Sequence, residues 1–112
     1  MERSLDPVEE HAVVVSLRLV EEDTPDERRR LAALAEELEI VLGDIPGGEF
    51  GGLDLRAGYC LLYCYGDDAG EVFTAIEPAM ADYRPRPGSW VIKRFGSATD
   101  VTARRERVDL TP

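Results

Sequence analysis

The sequence predicts an α+β domain in which two helices cover one face of an antiparallel sheet. Three observations carry that expectation: short segments that alternate apolar and polar residues, two segments with helical caps and helical spacing, and the order β-α-β-β-α-β with room for a further strand. That order is the split βαβ, or ferredoxin-like, arrangement, in which the first and third strands occupy the sheet centre. Here the first and third strands are the most apolar segments, so pattern and topology agree.

Residues 11–20 form a β-branched run with Val13, Val15, Leu17 and Leu19 on one face and Val14, Ser16, Arg18 and Val20 on the other. Thr24-Pro25-Asp26-Glu27 then combines an N-cap, a proline at the first helical position and a glutamate at capping-box spacing. The helix that follows, 25–42, repeats Leu31, Leu34, Ala35, Leu38, Val41 and Leu42 at three- and four-residue spacing and meets Gly43 as a stop. Residues 50–55 and 59–65 read as a hairpin turning near Arg56-Ala57-Gly58. Asp67 or Asp68, with Glu71 at capping-box spacing from Asp68, opens a second helix over 68–83, which Pro78 should kink or shorten. Trp90 to Phe95 is a strand, and 104–110 adds a charged edge strand anchored by Val108 and Leu110.

The chain has 112 residues, 44% of them hydrophobic and 32% charged, which is one ordinary globular domain over 1–112, with residues 1–10 expected to be a flexible segment. Its longest stretch without charge, Ala57 to Gly66, is far shorter than the roughly 20 apolar residues of a membrane helix. The first seven residues carry acid where a signal peptide is basic and then apolar, so a cytoplasmic location is expected.

Net charge is −10, and it is uneven: residues 1–56 hold 15 acids and 6 arginines, whereas 57–112 hold 8 acids and 7 bases. Such a field disfavours nucleic acid and anionic lipid on average and favours a basic protein partner. Glu21, Glu22, Asp23, Glu36, Glu37 and Glu39 are the candidate contact region for it, in the manner of immunity proteins that mask basic toxins.

Cys60 and Cys64 lie about 13 Å apart on a strand, too far for a disulfide, and with His11 as the sole histidine no soft metal site is visible. They read as buried thiols in a reducing compartment, and His11 reads as a surface residue. Gly47-Gly48-Glu49-Phe50-Gly51-Gly52 lacks the lysine and the spacing of a phosphate loop, and Glu21-Glu22-Asp23 would repel phosphate after the first strand, where acylphosphatases of this topology place an arginine loop. No enzyme activity, metal or cofactor is therefore expected.

The strand 59–65 is the most informative. Cys60, Leu62 and Cys64 suit packing beneath helices, while Tyr59, Leu61, Tyr63 and Tyr65, with Val14 on the neighbouring strand, suit an open contact face. RNA-recognition domains carry stacking rings on the same strand; here Leu61 replaces one ring and Arg56 reads as the only nearby cation, which weighs against RNA. A small-ligand sensor on the tyrosine face is the competing function, and an uncovered aromatic face or an edge strand favours homodimerisation.

The segment Gly58-Tyr59-Cys60-Leu61-Leu62-Tyr63-Cys64-Tyr65-Gly66-Asp67-Asp68-Ala69, followed by Phe73 and Pro78, resembles small bacterial proteins to which a ferredoxin-like fold and no activity are ascribed. The resemblance covers roughly residues 48–110; it implies the fold and carries over no site residues.

Overall fold

Residues 10–19 and 24–110 are described by the structure, a computed structural model. The N-terminal stretch read as flexible lies outside them up to residue 9, as do Val20, Glu21, Glu22 and Asp23. In chain order the elements are β1 (His11–Arg18), α1 (Pro25–Leu42), β2 (Glu49–Arg56), β3 (Tyr59–Gly66), α2 (Ala69–Tyr83), β4 (Trp90–Phe95) and β5 (Arg104–Asp109). They build an α+β domain with two helices and one five-stranded sheet, ordered β2-β3-β1-β4-β5 and antiparallel at every pairing. β1 runs to Arg18, and the Leu19 amide continues its register by donating to the Gly58 carbonyl at 2.9 Å; the expected last residue, Val20, lies outside the described residues.

Sheet register sorts the side chains. β1 opposes β3 with Val13 on Cys64, Val15 on Leu62 and Leu17 on Cys60, and all six are fully buried. These residues, with Val91 of β4, meet Leu31, Leu34, Leu38 and Leu42 of α1 and Val72, Ile76 and Met80 of α2 in a single hydrophobic cluster. Each helix turns one apolar stripe into this cluster, so both lie on the same side of the sheet, and among the described residues no element covers the opposite face. In β2 the register shifts between Phe50 and Gly52, leaving Gly51 in a bulge beneath the Tyr65 ring, where an added Cβ would collide with it. The hairpin turns through two residues, Ala57 and Gly58, the latter at φ +79°, which glycine adopts without strain.

Two caps differ from the sequence expectation. Thr24 accepts a hydrogen bond from the Glu27 amide at 3.1 Å, as an N-cap does, but the Glu27 side chain does not complete a capping box. It turns inward, where its carboxylate accepts from the Tyr83 hydroxyl at 3.0 Å and from Arg86 at 2.7 Å, with Arg30 at 3.6 Å. The Arg30 guanidinium also lies 4.3 Å from the centre of the Tyr83 ring and donates to the Tyr83 carbonyl at the end of α2. The start of α1 is thereby tied to the end of α2. His11 is not a surface residue: it is half-buried, its Nδ1 accepts from the Ala69 amide at 3.1 Å, and its ring meets Phe95 edge-on. Together with Asp68, which accepts from the Gly70 amide at 2.9 Å, it satisfies the first turn of α2. Pro78 does not shorten α2, which runs unbroken to Tyr83 with Pro78 on its exposed side.

Burial alone would raise the Glu27 carboxyl, but the hydrogen bonds from Arg86 and Tyr83 and the charges of Arg86 and Arg30 outweigh it and hold it below its ordinary value of 4.5. Burial, then the bond to Glu27, pushes the Tyr83 phenol up to about 12. Glu27→Ala leaves the Tyr83 hydroxyl and a partly buried guanidinium without their acceptor, and is expected to lower unfolding free energy by about 2–3 kcal/mol in urea titrations. The carboxylate's contribution is complete above pH 4.5 and is lost as pH falls through the lowered folded value, so the deficit of Glu27→Ala relative to the native chain should shrink in acid.

Candidate functional site: the open sheet face

The uncovered face is built by the residues that alternate with the core. From β3 it takes Tyr59, Leu61, Tyr63 and Tyr65; from β1, Val14, Ser16 and Arg18; from β4, Trp90, Ile92 and Arg94. The edges add Glu49, Asp54 and Arg56 from β2 and Arg105, Arg107 and Asp109 from β5. Leu61, Tyr63, Val14, Trp90 and Ile92 are half-buried, and Val14 stands between Tyr63 and Ile92 as their direct partner on either side. An apolar, aromatic centre is thus flanked by charged strand edges.

The tyrosines do not stand alone. Tyr59 and Trp90 reach across the buried Ser16 to place their ring centres 5.3 Å apart, tilted by 59°. Arg107 lies 4.4 Å from the centre of the Trp90 ring. A phenol ring, an indole and a guanidinium therefore form one continuous group, in which the Trp90 ring meets Tyr59 at a tilt and offers the negative potential of its face to Arg107. Arg56 pairs with Asp54 at 2.7 Å, Arg107 with Asp109 at 3.1 Å, and Arg94 donates to the Gly96 carbonyl at 2.7 Å. Tyr65 packs over the β2 bulge, and burial raises its phenol.

Arg56 is not the only cation near the tyrosines, contrary to the expectation from local sequence. Arg18, Arg94, Arg105 and Arg107 share the face, so its strands carry five arginines against the three acids Glu49, Asp54 and Asp109, with Glu10, just before β1, a fourth acid acting on Tyr65. A chain of net charge −10 has a positive balance on this one surface. Trp90, Ile92, Arg94, Arg105 and Arg107 escaped notice in the sequence because only strand order and register place them on the tyrosine face, across β1 from β3; the signal available was the locally basic last quarter of the chain.

The acidic candidates separate from this face. Glu36, Glu37 and Glu39 are exposed on α1, in the layer on the far side of the sheet, and Glu21, Glu22 and Asp23 lie outside the described residues. Cys60 and Cys64 are free and buried. Burial, with the charges of Asp54 and Glu27, pushes Cys60 up to about 11, and burial pushes Cys64 up to about 12, so neither holds a reactive thiolate near neutral pH. Among the described residues no cluster of three or more histidine, cysteine or acidic side chains is placed to hold a metal ion, and no helix is long and apolar enough to cross a membrane.

No family model matches the chain, and neither a curated protein nor a solved structure is significantly similar to it.

Both thiols should react with Ellman's reagent at pH 8 only as fast as the chain unfolds, and release two equivalents at once in denaturant. Rapid labelling of the native protein would mean that β3 exposes the wrong face.

Proposed function

We propose that this chain is a non-catalytic interaction domain of ferredoxin-like build whose contact surface is the open sheet face. The element order β-α-β-β-α-β, with β1 and β3 inside the sheet and β5 added at an edge, supports the build, as does the resemblance of residues 48–110 to small bacterial proteins. The single observation that carries the contact role is the group of Tyr59, Trp90 and Arg107 beside the apolar centre of Leu61, Tyr63, Val14 and Ile92.

Composition favours a protein as the occupant. Tyrosine, tryptophan and arginine are the residues most enriched at the energetic centres of protein interfaces, and lysine is depleted there; this face has three tyrosines, the sole tryptophan, five arginines and no lysine. A nucleic-acid strand would cross Glu49, Asp54 or Asp109 at either edge, which a continuous phosphate track disfavours. Three arginines of the face, Arg56, Arg94 and Arg107, are oriented across it by a neighbouring acid or carbonyl.

A second reading rests on the helix layer, where exposed Glu36, Glu37 and Glu39 offer a basic protein an acidic surface. Hydroxyl-radical footprinting separates the two. Compared with the chain in dilute buffer, the chain in extract of its host is expected to show protection at Tyr59, Tyr63, Tyr65 and Trp90. Protection confined to α1 around Glu36 to Ile40 would replace the sheet-face reading with the acidic one.

A further inference from the structure

We infer that the open face is covered by a second copy of this chain, docked sheet to sheet about a twofold axis that crosses the strands. The inference rests on the reading of that face as a contact surface and names its occupant.

The face carries charges of both signs, and one twofold pairs acids with arginines at both of its edges while bringing no two like charges together. Reading the register across the sheet gives four rows of side chains: Arg56, Tyr59, Arg18; then Asp54, Leu61, Ser16, Trp90, Asp109; then Gly52, Tyr63, Val14, Ile92, Arg107; then Glu49, Tyr65, Ala12, Arg94, Arg105. A twofold axis perpendicular to the strands, between the two middle rows, lays each strand antiparallel over its own copy. It brings Glu49 of each chain to Arg56 of the other and Arg107 to Asp109. In the centre Tyr63 meets Leu61 and Ile92 meets Trp90, while Val14 meets the Tyr59 and Trp90 rings that reach across the buried Ser16. The alternative axis, running along β1, opposes Arg18 to itself and Asp54 to Asp109, and like charges across a desolvated interface cost several kcal/mol.

Size is adequate. Five strands about 4.8 Å apart and six residues rising about 3.3 Å each give a face of roughly 24 by 20 Å. Side-chain relief brings that toward the approximately 800 Å² per partner of a standard interface. The twist of each sheet turns aligned faces by about 30°, so the match is closest near the axis, where the apolar residues sit. Each copy keeps its helices outward, and the assembled surface is the acidic one.

Analytical ultracentrifugation across nanomolar to 100 micromolar concentration tests this. The native chain is expected to reach twice its 12.4 kDa mass in the micromolar range. Ile92→Arg should hold it at one mass. Exposed Glu49→Arg and Arg56→Glu, which leave the core untouched, should each weaken association about tenfold, since symmetry counts each change twice, and the double variant Glu49→Arg/Arg56→Glu should restore it. Thermal melts accompany each variant to show that it folds. A single mass at 100 micromolar overturns the inference, and if footprint protection of the face in extract persists, the contact role survives with a different occupant. A dimer indifferent to both Ile92→Arg and the charge pair also overturns it, as does a monomer that binds oligouridylate with Trp90 quenching.

Discussion

Everything on either side of this sheet depends on the alternation of β3, pinned between β1 and β2. With Val15 on Leu62 and Leu53 on Leu62 from the other edge, Cys60, Leu62 and Cys64 can point only toward the helices. A slip of one residue would turn three tyrosines and Leu61 into the core and expose two thiols. The phenols would then be buried without acceptors, at a cost of about 1–3 kcal/mol each, and the volume beneath the helices would be badly overfilled. Small buried cysteines are what allow α1 and α2 to sit close over the same strand that offers its rings to the other side.

The helices repeat that separation in charge. Glu27 draws Arg30 and Arg86 to the junction of α1 and α2, in the same layer as the exposed Glu36, Glu37 and Glu39, while Arg18, Arg94, Arg105 and Arg107 collect on the sheet face. A helix is about 10–12 Å across, and the screening length at physiological salt is about 8 Å, so acids on the outer side of the helix layer contribute little at the open face. Net charge is therefore a poor guide to what that face attracts. A chain of −10 can present arginine and aromatic rings as its local character, and the two surfaces can take different partners.

Much of the fold was legible because its signals are local. The alternation of residues 11–18 and 59–65, the Thr24-Pro25 start of α1 and the Asp68 start of α2 each lie within one element, and each needs only its own period or cap. What stayed hidden involves partners distant in sequence. Glu27 looked like a capping-box residue because its true partners, Tyr83 and Arg86, are 56 and 59 positions away. His11 looked like a surface residue because the amide it receives belongs to Ala69, 58 positions on. The tyrosine side of β3 was readable from residue type, but the arginines and Trp90 of the same face came into view only when strand order set β4 and β5 on the far side of β1. β5, Arg-Arg-Glu-Arg-Val-Asp, was legible as a charged edge strand from Val108 and Leu110, and what holds it is distant in sequence: backbone pairing with β4 and Lys93 reaching Glu106 at 3.4 Å.

The separation of a basic, aromatic sheet face from an acidic chain is the central claim, and Trp90, the only tryptophan, stands in the middle of that face as a reporter. Its fluorescence should be quenched by iodide and by caesium at nanomolar protein concentration and low ionic strength, each normalised to free N-acetyltryptophanamide. The anion is expected to be the more effective quencher, because Arg107, Arg94 and Arg18 dominate the local potential. More effective quenching by caesium, as an evenly distributed charge of −10 would give, would contradict it.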